Sequence, residues 1–147
     1  MQNQLNSRPF EYFEEYYKQG LVSTASIQRV VLALYERILL LLKRALACEQ
    51  DITAMRRNVA QAQQIMTHLL GLFLDHQSLK PLYVSHERIA QLLTDIFRQR
   101  RYQPQLLNEG ISRIEAYQTA LRQQLQIKAH FPDEGAARLN VRRSPQS

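Results

Sequence analysis

Between positions 52 and 73 the apolar residues fall at Ile52, Met55, Val59, Ala62, Met66, Leu69 and Phe73, alternately three and four positions apart. An α-helix turns once every 3.6 residues, so this spacing lines one side of a helix and of no strand. The same step recurs along Leu82, His86, Ile89, Leu93 and Ile96, and along Leu107, Ile111, Ile114, Gln118, Leu121 and Leu125. Nearer the start of the chain, Ile27, Val30 or Val31, Leu34, Ile38, Leu41 and Ala45 follow it too. An amphipathic helix cannot bury its stripe alone. Four of them with short connections predict an all-α fold, an antiparallel up-down-up-down four-helix bundle.

Local signals place the ends. Ser26 is a good N-cap ahead of the first stripe, with Ser23 and Thr24 competing, and Asp51 caps the second helix, which runs to about Asp75. The third helix is expected from Leu79 or Pro81 to Arg100, and the fourth from Gln105 to Lys128 after the break at Pro104. The predicted organisation is an aromatic N-terminal arm or cap over residues 1–21, a bundle over 22–129 and a mobile tail over 130–147. Five of the twelve Phe and Tyr residues lie in the arm. Phe10, Phe13 and Tyr17 would share one face if it became helical.

The first helix has more apolar surface than one bundle position hides. Leu32, Tyr35, Leu39, Leu40, Leu42 and Leu46 lie off its stripe, and a helix apolar on every side is one covered on every side. Ile65, Leu70 and Leu72 widen the second helix, and Tyr83, Ala90 and Phe97, seven apart, make a second stripe on the third. Such surplus predicts an apolar face for a partner, with a homodimer face as the alternative.

Composition bounds the class. A chain of 147 residues can bury about 70% of its unfolded surface and forms one domain. A single cysteine, Cys48, excludes an intramolecular disulfide framework and fits a reducing compartment, so a cytoplasmic location is expected. The longest apolar runs, 30–35, 38–42 and 69–74, fall far short of the ~20 residues that span a bilayer, so no membrane insertion and no cleaved signal is expected. The net charge of +6 is spread over several helices. Its tightest cluster, Arg98, Arg100 and Arg101, reads as a complement to a helix C-terminus rather than a phosphate site, and no nucleic-acid partner is expected.

No motif points to catalysis. "HERIA" at 86–90 begins like the zinc helix His-Glu-x-x-His, but Ala90 stands where the second ligand belongs. His68 and His76 are two turns apart, too far to chelate on one helix, and no Glu-x-x-His occurs for a di-metal bundle. Cys48 has Glu49 beside it and no nearby His, an environment that does not favour a thiolate. The expectation is a binding protein without active site, metal or cofactor.

The run "YKQGLVSTASIQRVVLALYER", 17–37, resembles the opening segment of the flagellin-specific flagellar export chaperone (FliS) family, with Val22, Thr24, Ala25, Ser26, Leu34 and Tyr35 at matching positions. "QAQQIMTHL" at 61–69 and "PLYVSHERI" at 81–89 are similar to its second and third helices, and order and spacing agree over about 17–125. Ile27 replaces the family's proline, Arg29 an acidic residue and Glu36-Arg37 its Asp-Gly, while Leu121 or Leu125 lies near its tryptophan. The resemblance implies a bacterial cytosolic secretion chaperone that binds the C-terminal helical segment of flagellin, blocks premature polymerisation and delivers it to the flagellar type III export gate. It links Phe10 and Phe13, with Tyr17 nearby, to gate docking. The apolar residues flanking the seams, Ile65, Leu72, Tyr83, Ala90 and Phe97, are the candidates for the flagellin groove.

Overall fold

The computed structural model describes residues 24–130, with side chains over 26–126, and every helix in that span is joined to the next by a short turn. Helix α1 is Thr24–Leu46, α2 Ile52–Asp75, α3 Tyr83–Arg98 and α4 Pro104–His130, with a 3-10 segment, Gln77–Leu82, between α2 and α3. The fold is the all-α bundle that the periodicity demands. The arm, with Phe10, Phe13 and Tyr17, and the tail lie outside the described residues.

Each helix packs against its neighbours in chain order, and α4 closes the ring on α1. Side-chain pairs show that adjacent helices are antiparallel. Arg56 and Gln63 of α2 reach Phe97 and Thr94 of α3, and Lys43 and Glu36 of α1 pair with Glu115 and Arg122 of α4, in opposite order along the two helices each time. Both α1–α4 ion pairs are half exposed, where such pairs contribute roughly 0–1 kcal/mol, so they align the helices more than they hold them. The apolar seams hold the fold. Ile27, Val31, Leu34, Ile38, Leu41 and Ala45 meet Met55, Val59, Ala62, Met66, Leu69 and Phe73, with Ile89, Leu93, Ile96, Leu107, Ile111 and Ile114 opposite, all buried.

The surplus on α1 turns out to be mostly interior. Tyr35, Leu39 and Leu42 are buried, Leu32 and Leu46 are half-buried, and only Leu40 of the run 38–42 is exposed, at 41%. The covering is supplied by α4, which lies over the flank that carries Tyr35 and Leu42. Gly110 faces this flank, and a methyl group on its α-carbon would meet Leu42 Cδ1 at 3.6 Å and Leu92 and Leu93 Cδ2 at 3.8 Å, ordinary packing distances. The apolar stripe of α1 is therefore as wide as two neighbours require.

The helix ends follow local chemistry. The Asp51 side chain accepts the Ala54 N–H, as expected of the N-cap of α2. At the other end His76 is extended (φ −116°, ψ 119°), which stops α2, and the Leu79 and Lys80 N–H groups then bond back to the His76 carbonyl. Here the expectation of a helix beginning at Leu79 or Pro81 is corrected. Tight i to i+3 turns carry the chain through Pro81, and the α-helix begins only at Tyr83.

Candidate functional site

The connection Gln77–Leu82 lies at the end of the bundle where α1 begins and α4 ends. There α4 runs on past the cover that the other described helices provide: Leu107, Ile111 and Ile114 are buried, but Leu121 and Leu125 on the same seam are only half-buried. Between the elements opens a trough of about 420 Å³, walled by Val31 and Tyr35 of α1, Leu79 and Leu82 of the 3-10 segment, and Tyr117 and Leu121 of α4. Gln28, Ser78 and Gln124 stand at its polar edge. The walls are predominantly apolar, the property of sites that take a hydrophobic side chain or ligand.

Four rings make the floor of the trough rigid. The fully buried His86 is stacked on Tyr35 (centroids 5.7 Å apart), tilted against Tyr117 (4.3 Å) and met edge-on by Phe73 (4.6 Å). Its Nδ1 lies 2.8 Å from the Leu82 carbonyl, which can only accept, so Nδ1 carries the proton of the neutral ring. Nε2 is then an acceptor, and the Tyr35 hydroxyl donates to it at 2.7 Å. Ser85 also donates to the Leu82 carbonyl. Burial pushes the His86 pKa down to about 4, only partly countered by the Leu82 hydrogen bond, and burial together with Tyr117 holds the Tyr35 phenol well above its ordinary range. Both groups are neutral and hydrogen-bonded near pH 7. The cluster can position the trough walls, but it neither gives nor takes a proton there.

The five sequence-derived groove residues are not brought together. Tyr83, Ala90 and Phe97 lie half-buried along the flank of α3 that meets α2, where Arg56 caps the Phe97 ring at 4.2 Å and donates to the Phe97 carbonyl. Tyr83 bonds to Glu87, which raises its phenol from the ordinary value. Ile65 lies nine positions after Arg56, about half a turn around α2, and Leu72 follows it seven positions later, so both face away from α3 on the side where α1 packs. Leu72 is buried and Ile65 half-buried. The five thus lie on two separate flanks, each partly consumed by packing. Sequence reasoning placed His86 inward but found no partner for it, and it passed over Tyr117. The one signal for Tyr117 was an aromatic residue next to a seam position in an otherwise polar stretch of α4.

Among the described residues no three His, Cys, Asp or Glu side chains are grouped to hold a metal ion, and no helix is long and apolar enough to cross a membrane. Comparison with known protein families, with curated proteins and with solved structures finds no match for this chain.

Proposed function

We propose that this chain is a non-enzymatic, cytosolic export chaperone whose client is the C-terminal helical segment of flagellin. The client helix lies with its apolar side in the trough at the end of α4. Held there, the segment cannot polymerise, and the complex is carried to the flagellar type III export gate, with Phe10, Phe13 and Tyr17 of the N-terminal arm as the gate-facing residues. Support for the class of client comes from the resemblance of 17–37, 61–69 and 81–89 to flagellin-specific chaperones.

The structural observation that carries the reading is the unfinished seam of α4. Leu121 and Leu125 continue an apolar line beyond the packed core, beside a trough with apolar walls and a polar edge. An amphipathic helix presents residues at i, i+3, i+4 and i+7 and completes such a line in the way a fifth helix would. Ordering a flexible client consumes part of the binding free energy, so affinity comes from a long contact rather than a deep one.

The test is calorimetric titration with a peptide of the flagellin C-terminus at several temperatures. Binding at low-micromolar concentrations with a negative heat-capacity change is expected, weakened at least about tenfold by Leu121→Glu. Absence of heat at every temperature sinks the proposal.

A further inference from the structure

The opposite end of the bundle carries a different surface. The turn from α3 to α4 places Arg98, Arg100 and Arg101 within four residues, all exposed. Two inward anchors fix this turn. The Tyr102 hydroxyl donates to the carbonyl of Leu46, the last residue of α1, at 2.6 Å, and the buried Gln103 amide bonds the Gln99 side chain. With Tyr102 and Gln103 held inward, Arg100 and Arg101 point out.

Arg100 has φ +42°, and no other non-glycine residue among those described has a positive φ. It occupies the position just past a helix C-terminus where glycine is the usual residue, because a Cβ crowds the neighbouring carbonyl. Complementing the helix dipole does not account for it, since Arg98 already lies in the last turn of α3. The long cation at a strained position is of use only where it points.

The same end of the bundle carries further exposed arginines. The Arg56–Phe97 bond brings the first turns of α2, with Arg57, beside the last turn of α3 and Arg98, while Arg44 lies in the last turn of α1, two positions and about 200° of helix from the Leu46 that Tyr102 holds. Lys43 and Arg113 at this end are taken by Glu115 and Glu109. Among the described residues Arg44, Arg57, Arg98, Arg100 and Arg101 have no carboxylate partner, Arg101 donating instead to the Gln99 side chain; of the nearby acids Asp51 caps α2, Asp95 accepts from Gln91 and Glu49 is exposed in the α1–α2 turn.

We propose that this end of the bundle is a docking surface for an acidic segment of a partner protein, gripped by arginine–carboxylate forks from these five residues. Five guanidinium groups and no free lysine suit planar, two-pronged recognition of carboxylates. The aromatic residues that would stack on nucleic-acid bases are engaged elsewhere, Phe97 under Arg56 and Tyr102 on the Leu46 carbonyl. This surface is separate from the trough and does not depend on the flagellin reading.

Fluorescence anisotropy of a labelled polyglutamate peptide against the full chain tests it, with single-stranded DNA of mixed sequence and phosphatidylserine vesicles as competing probes. Polyglutamate should bind in low salt, and the triple variant Arg98→Gln, Arg100→Gln, Arg101→Gln should weaken it by about tenfold, as three partly screened ion pairs would. Arg44→Gln with Arg57→Gln, remote from the strained turn, should weaken it as well, while Lys80→Gln at the other end leaves it unchanged. Melting curves confirm that each variant is folded. Polyglutamate binding that is absent, or unaffected by either arginine variant, overturns the proposal, and so does tighter binding of DNA or vesicles than of polyglutamate.

Discussion

Lowering the pH sets the buried His86 ring against the fold. In the native chain its pKa is about 4, whereas in the unfolded chain it has the ordinary value near 6.5. The folded value is the lower of the two, so as pH falls the unfolded chain takes up the proton first. Stability contributed by the neutral ring is complete above about pH 6.5 and is lost progressively down to about pH 4. The displacement corresponds to roughly 3 kcal/mol in all, and to about 2 kcal/mol by pH 5. With roughly one hundred ordered residues this last loss lowers Tm by about 8 °C. Urea unfolding followed by circular dichroism across this range measures it, with the double variant Tyr35→Phe/His86→Leu as reference. That variant removes both hydrogen-bonding partners together, and every other titrating group is common to the two proteins and cancels in the difference. The single change Tyr35→Phe should cost about 1–3 kcal/mol at pH 7, because Nε2 loses the Tyr35 donor inside the core, and should keep most of the pH dependence, whose main cause is burial. Parallel stability curves for the native chain and the double variant between pH 7 and 4 would refute the placement of a neutral His86 in a dry site.

Other substitutions test individual parts of the fold. At Gly71 a methyl group meets nothing within 4 Å, and at Gly110 it makes only ordinary contacts, so each glycine-to-alanine change should raise stability by about 1 kcal/mol in chemical denaturation. Asp51→Ala removes the cap on the Ala54 N–H and should lower stability by about 1 kcal/mol, read as an earlier thermal midpoint. Arg100→Gly should stabilise by about 1 kcal/mol by relieving the positive φ, while weakening polyglutamate binding. Phe73→Ala opens a cavity beside His86 and should cost about 3–5 kcal/mol, measured by the urea midpoint.

Seam positions were legible because helical periodicity is local. Met55 to Phe73 and His86 to Ile96 were assigned inward and are buried, and the Asp51 cap was visible as one residue type at one place. The start of α3 was misjudged for an equally local reason. Leu79 and Pro81 have the look of a first helical turn, and nothing in the letters separates an α turn from the tighter one set up by the extended His76. Periodicity was silent about pairing between distant elements. Tyr35 looked superfluous because its partner is fifty-one positions away, and the trough depends on the relative lengths of α1, α3 and α4, which only the assembled bundle reveals. The width of the apolar band on α1 was read correctly. Its meaning was not, since α4 rather than a foreign chain occupies most of it.

That closure of the first helix by the last has a consequence for synthesis. The flank of α1 that carries Leu39 and Leu42 leaves the ribosome early, and its cover in α4 is translated about seventy residues later. Until Gly110 and Ile114 emerge, the nascent chain presents a greasy strip to everything around it, so folding waits for α4 and aggregation competes throughout. Truncations that end within α4 should accumulate in inclusion bodies, although most of the core is already encoded in them.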